Sequence, residues 1–312
     1  MLIDAHVHVF QAVNGMVAEG PVRGLGYGRI AFGERTLQLL PPFNERTAYT
    51  AEMLIAQMDW AGVDRAFLLQ GTYYGPCNDY AREAIARYPE RLAGAAWLDP
   101  WMPGARQAFA ETFAADRPAA PGFRAVKLEF SVSHGLWGLH PGARLDDPAL
   151  EWLWAEMERR GLALTLDLGG VGSQSYQSRA VRKIAQWHPG LKIVIAHLGQ
   201  PSRKAEADPE TWALWQEQID LSRLPNTWFD CAALPIFLPE EEYPYPSAGR
   251  YLQLAVERIG PGKVLWGSDQ PGLLAVLSYP QLVRLAHLHT QFLSPAEQAL
   301  ILGENARLVY GM

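Results

Sequence analysis

The chain opens on Ile3-Asp-Ala-His-Val-His, which places a carboxylate and two imidazoles at alternate positions, Asp4, His6 and His8. Residues two apart in a strand share a face, so these three are expected together, with Ile3, Val7 and Val9 opposite. A single inward histidine is commonly a hydrogen-bonded core residue. Two at this spacing, with an acid two positions ahead, read as ligands for one cation, Asp4 lying deeper as a hydrogen-bonding support.

Three further apolar runs end on a polar group: Lys192-Ile-Val-Ile-Ala-His ends on His197, Val264-Leu-Trp-Gly-Ser-Asp on Asp269, and Leu162-Ala-Leu-Thr-Leu-Asp on Asp167. Alone, His197 reads as a rim residue and Asp269 as a helix cap. Converging with His6 and His8, they form the His/His/His/Asp composition that a mononuclear Zn²⁺ or Mn²⁺ hydrolase needs. Val126-Lys-Leu-Glu-Phe sets Lys127 and Glu129 on one face. They read either as an ion pair or as working groups, Lys127 holding a substrate carboxylate or polarising a carbonyl and Glu129 touching metal or substrate. Arg124 is a further candidate for orienting a substrate anion. Trp97 at a strand end and Tyr73 in Gln70-Gly-Thr-Tyr-Tyr-Gly are candidates for lining the pocket. Asp230 is a less distinctive carboxylate at a strand tip, and Cys231 beside it reads as a buried, inert thiol.

Positioning these groups requires a scaffold that gathers strand ends. Eight β-rich apolar runs recur: residues 2–9, 66–70, 92–98, 124–130, 162–168, 192–197, 227–231 and 263–268. Each is followed by a longer amphipathic stretch, and several of these close on Gly before the next strand. This alternation predicts an α/β fold, a closed (β/α)8 TIM barrel. An open doubly wound sheet would carry a Gly-rich phosphate loop after its first strand, and Phe10-Gln-Ala-Val-Asn-Gly is not one. The long connections, 11–50, 131–147 and 232–247, all follow strands, so they fall at the face where barrel sites are built. Residues 1–312 therefore read as one domain, with 11–50 a lid-like insertion and 294–312 a closing helical cap. The segment Leu234 to Pro246 reads equally as a mouth loop or as an arm joining identical chains.

The 312 residues carry 27 Lys plus Arg against 33 Asp plus Glu, a formal charge of −6 without any basic run, which argues against nucleic acid as a partner. No apolar run approaches the roughly 18 residues a membrane span needs, and the opening segment lacks a basic leader region. Two distant cysteines, Cys77 and Cys231, suit a reducing compartment. The expectation is a soluble cytoplasmic protein acting on a small molecule.

Ile3-Asp-Ala-His-Val-His, Ile195-Ala-His-Leu-Gly, Leu265-Trp-Gly-Ser-Asp-Gln-Pro and Gly303-Glu-Asn-Ala-Arg-Leu resemble, in order and over nearly the whole chain, the amidohydrolase-related branch of the amidohydrolase superfamily. That branch includes carboxymuconate-semialdehyde decarboxylase and pyrone dicarboxylate and sugar lactonases. The resemblance implies that His6 and His8 ligate a divalent metal, Zn, Mn or Mg. It implies that Asp269 is a further ligand that accepts a proton from water, and that His197 stabilises charge on the substrate. One position departs: metal-dependent members usually carry His at the fifth strand end, where this chain has Asp167. Either Asp167 completes the shell as an oxygen ligand, favouring a harder metal, or the site works without metal, as some lactonases of the branch are thought to do.

Three functions compete on these residues. The first is hydrolysis of a small lactone, amide or other carboxylated ring substrate by a metal- or Asp269-activated water. The second is non-oxidative decarboxylation of an unsaturated or aromatic acid, ranked lower because several such enzymes carry Glu at the first ligand position. The third is an inactive barrel that binds a ligand.

Overall fold

A computed structural model of the protein describes residues 1–114 and 122–312. The barrel strands are β1 (Ile3–Val7), β6 (Arg65–Leu68), β7 (Leu92–Trp97), β8 (Ala125–Glu129), β9 (Ala163–Asp167), β10 (Lys192–Ile195), β11 (Thr227–Asp230) and β12 (Val264–Leu265). They pair in parallel in chain order. Backbone bonds from Ala5 N to Trp266 O (3.0 Å) and from Asp269 N to His6 O (2.8 Å) close the ring. The protein is thus a (β/α)8 barrel with helices around it. The helix between β7 and β8 runs Ala105–Thr112.

Small side chains fill the lumen's lower half. Ala93, Ala95, Ala125 and Ala163 leave room for Phe67, Trp228 and the C-terminal helix Asn305–Tyr310. Tyr310 stacks on Phe67 with ring centres 3.7 Å apart and shares a 2.9 Å hydrogen bond with Thr165 inside the barrel. The terminal helix therefore plugs the floor, and the larger apolar side chains pack between barrel and helices. Among the described residues no helix is long and apolar enough to cross a membrane.

The first long connection carries more order than its Gly-rich composition suggests. Residues 14–38 form a separate antiparallel sheet of β2 (Asn14–Val17), β3 (Gly20–Gly26), β4 (Arg29–Phe32) and β5 (Arg35–Gln38). It docks on the loop after β6 through Asn14 N to Tyr74 O (3.0 Å), and a Cβ on Gly15 would lie 2.2 Å from the Tyr73 carbonyl. Only glycine permits that approach.

Strand β1 breaks the alternation predicted for it. Its pairing with β6 steps from Asp4↔Ala66 to Val7↔Leu68, three residues against two, which is a β-bulge. Below the bulge Ile3 and Ala5 face the lumen floor, and above it Val7 and Val9 face the helices. Asp4 is accordingly turned away from the two histidines: it accepts from Tyr279 Oη (2.6 Å) of the outer helix Tyr279–Thr290, from Ser268 N (2.8 Å) and from His6 N (3.1 Å). The extra residue shifts the side-chain phase, so Asp4 and the histidines do not share a face.

Candidate active site

At the C-terminal mouth, the bulge points His6 and His8 into the lumen, where both imidazoles converge on Asp269. His8 Nε2 lies 3.0 Å and His6 Nε2 3.5 Å from Asp269 Oδ1. His197 joins them, its ring centre 4.7 Å from that of His6. Strand β10 stops at Ile195, and His197 and Leu198 follow in left-handed backbone at φ 58° and 52°; Asp269 does the same at φ 56°. Such conformations are costly for residues with a Cβ and persist where surrounding structure enforces them. Close approach helps: a Cβ on Gly267 would sit 2.6 Å from His6 Cβ.

Each imidazole commits Nδ1 to an acceptor: His6 to Asp230 Oδ2 (3.0 Å), His8 to the Leu69 carbonyl (3.0 Å) and His197 to the Ala232 carbonyl (3.2 Å). Donation from Nδ1 fixes the rings and turns Nε2 toward the cluster. Burial pushes the His6 imidazole down to about 4 against the pull of Asp230, so at neutral pH its Nε2 is a bare lone pair. That lone pair faces an ionised carboxylate: burial works against the charge of Asp269, but the His8 hydrogen bond and the neighbouring imidazoles hold it well below the usual carboxylate range. Two acceptors face one another, and a cation would satisfy both. His6, His197 and Asp269 offer ligand atoms all within 4.8 Å of one another. This donor set fits a divalent metal.

Asp167 stands apart from that trio. Its Oδ2 lies 3.2 Å from His197 Nε2, and its Oδ1 accepts from Gly169 N and Gln200 Nε2, both at 2.9 Å. Burial disfavours an imidazolium at His197, but Asp167, then Asp269 and Asp230, outweigh it and raise the group to about 9. Without a bound cation, His197 therefore holds a positive charge at neutral pH.

Lys127 and Glu129 lie on the lumen side of β8, both buried. Lys127 Nζ is enclosed with no hydrogen-bonding partner among the described residues. Burial and the charge of Asp167 push the Glu129 carboxyl up to about 8, and Ser131 Oγ bonds it at 2.8 Å. Tyr73 donates to Tyr74 Oη (2.7 Å), and the Tyr74 ring packs 4.9 Å from His8, so this pair flanks the cluster. Trp97 sits half-buried at the end of β7, opposite Lys127 in register. Arg124 is at the wrong end. It precedes β8 on the floor side, exposed, and donates to the Gly311 carbonyl, because a residue entering a barrel strand lies a full strand length from the mouth.

Asp230 organises more of the site than its sequence signal suggested: besides His6 it accepts from His197 N (2.9 Å) and Ala232 N (3.1 Å). The available signal was its parity with the inward Trp228 on β11. Gln200, which positions Asp167, carried none.

A parallel barrel with imidazoles and carboxylates gathered at its C-terminal mouth is the arrangement in which barrel enzymes build their active sites. The chain belongs to the amidohydrolase family, whose profile matches residues 3–312. No curated protein matches it. Solved structures give the same fold at low identity. A Burkholderia multivorans amidohydrolase with bound zinc is 18% identical, with TM-score 0.73 over 100% of this chain and 99% of that one. A probable 2-pyrone-4,6-dicarboxylic acid hydrolase from Acinetobacter baumannii, with citric acid bound, is 19% identical, with TM-score 0.68 over 100% and 99%. The 5-carboxyvanillate decarboxylase of Sphingomonas paucimobilis is 16% identical, with TM-score 0.57 over 85% and 84%.

Proposed function

We propose that this protein hydrolyses a small lactone, amide or similar acyl bond in a carboxylated ring compound. The observation that carries the reading is Asp269, an ionised carboxylate in contact with His8 and beside His6, with the His197 imidazolium a ring away. Asp269 accepts the proton of the attacking water. His197 presents positive charge to the oxygen that gains the electron pair, and Asp167 and Ala232 hold its ring in place. Glu129, protonated at neutral pH, returns a proton to the departing oxygen or nitrogen. Lys127, buried and unpartnered, draws the substrate's carboxylate or carbonyl toward the lumen. A divalent metal held by His6, His197 and Asp269 would replace the His197 proton and supply Lewis acidity and a more acidic water in place of the imidazolium charge.

The test is a panel of lactones and ring carboxylates assayed on purified protein with and without Mn²⁺ and Zn²⁺. Ring opening with one water consumed, abolished in Asp269→Asn, is the expected result. Carbon dioxide release without water uptake would replace the reading with decarboxylation, and no turnover across the panel in either state would favour a binding protein.

A further inference from the structure

Turned away from the lumen by the bulge in β1, Asp4 lies fully buried at the seam where β1 closes on β12. Its two oxygens have separate partners. Oδ1 accepts from His6 N (3.1 Å) and from Ser268 N (2.8 Å), so one atom ties the backbone of a cluster histidine to the residue that precedes Asp269. Oδ2 accepts from Tyr279 Oη at 2.6 Å. Tyr279 is itself fully buried at the first position of the outer helix, where Gln281 Oε1 takes the Ser278 N–H at 2.9 Å and fixes the first turn. The hydroxyl therefore holds the carboxylate's rotation from a fixed place.

What Oδ1 holds is a strained segment. Asp269 sits in left-handed backbone at φ 56°, a conformation that persists only where its surroundings enforce it. Ser268, before it, donates to Asp4 and accepts from Gln270 N through Oγ (3.1 Å); Gln270, after it, accepts from Tyr49 Oη through Oε1 (3.0 Å). Backbone bonds cross the seam from Ala5 N to Trp266 O (3.0 Å) and from Asp269 N to His6 O (2.8 Å), but between them the link runs through the Asp4 carboxylate. A carboxylate free to pivot would let the two backbones shift, and with them the imidazole and the carboxylate they carry.

We infer that Tyr279 is a positioning residue for the mouth cluster: by fixing the Asp4 carboxylate it sets the separation of Asp269 from His6, and so the spacing of donors that a divalent cation would share. This role rests on the reading of His6, His197 and Asp269 as the working site, whichever bond that site breaks.

Asp4→Ala would strip two backbone amides of their acceptor and threaten the fold, so the test uses Tyr279→Phe, which deletes one hydroxyl and keeps the ring. Tyr310→Phe is the matched control, deleting another buried hydroxyl, the one bonded to Thr165 at the barrel floor. Each variant should lower the unfolding temperature by about 2–4 °C. In chelator-buffered Zn²⁺ titrations of the full chain, Tyr279→Phe should bind at least about tenfold more weakly than the wild type, and Tyr310→Phe should bind as the wild type does. In a crystal structure of metal-free Tyr279→Phe, the distance from His6 Nε2 to Asp269 Oδ1, 3.5 Å in the native protein, should lengthen. An unchanged distance overturns the inference. Unchanged Zn²⁺ affinity does so too, as does an equal loss in Tyr310→Phe, which would make the effect one of general stability. Wild-type protein that takes up no Zn²⁺ would reject the metal in the hydrolase reading, and the distance alone would then decide the role of Tyr279.

Discussion

Asp167 Oδ2 sits 3.2 Å from His197 Nε2, so the carboxylate at the end of β9 acts on a neighbouring imidazole. This contact, with Asp269 and Asp230 nearby, raises His197 to about 9 from 6.5. A proton held more tightly in the folded state stabilises fully below about pH 6.5 and is lost as pH rises through about 9. In chelator-treated protein, stability should therefore fall across that window by something on the order of 3 kcal/mol, and the alkaline limb of kcat/KM should lie near 9. Asp167→Asn should flatten the stability slope and move the limb down toward 6.5. Denaturation and kinetics from pH 6 to 10 check both, and an unmoved limb would reject the pairing as the cause.

Lys127 illustrates a cost carried for function. Its Nζ is enclosed without a partner, and removing such a group favours the fold when an apolar side chain fills the same volume. Lys127→Met should raise stability by about 1–2 kcal/mol while raising KM for a carboxylated substrate more than it lowers kcat. A destabilised variant with unchanged KM would show that Lys127 serves the barrel rather than the substrate.

The limits of the sequence reading follow from its own assumptions. Strand parity located Lys127, Glu129 and Asp167 correctly, because β8 and β9 pair without a bulge over Ala125–Glu129 and Ala163–Asp167. The same rule misplaced Asp4, because one inserted residue in β1 reverses the faces, and nothing in Ile3-Asp-Ala-His announces it. Arg124 carries the charge a substrate anion would need, but its distance from the mouth depends on where β8 begins. The antiparallel sheet over residues 14–38 was legible only as an insertion, since its glycines mask strand patterning. Partners that act through backbone atoms, such as the Leu69 and Ala232 carbonyls, leave no trace in side-chain identity.

Gly267 offers a steric test of the cluster's spacing. An added Cβ would meet His6 Cβ at 2.6 Å and both His6 N and Ala232 Cβ at 3.1 Å. The contact is with β1 itself, so Gly267→Ala should push His6 away from Asp269. It should cost about 1–3 kcal/mol of stability and most of the activity. Thermal unfolding and kcat measured together check it, and a variant with wild-type values in both would show that β1 yields freely.

Asp230 is the position where a nearly isosteric change should matter most. Its Oδ2 takes the Nδ1 proton of His6, and its Oδ1 takes the backbone N–H of His197 and Ala232. In Asp230→Asn the amide oxygen can keep both backbone bonds, so the turn at His197 and the fold survive. The amide nitrogen then faces His6 and donates, so the neutral imidazole must carry its proton on Nε2. That proton points at Asp269, in place of the lone pair a cation would use. Metal affinity should fall by about 10- to 100-fold, and kcat should fall by at least a similar factor, with little change in unfolding temperature. Metal titration, steady-state kinetics and a thermal melt on the one variant check the argument. Unchanged metal affinity and kcat would mean that the Asp230 contact does not set the His6 tautomer, whereas a large loss of stability would place Asp230 among the groups that hold the barrel together.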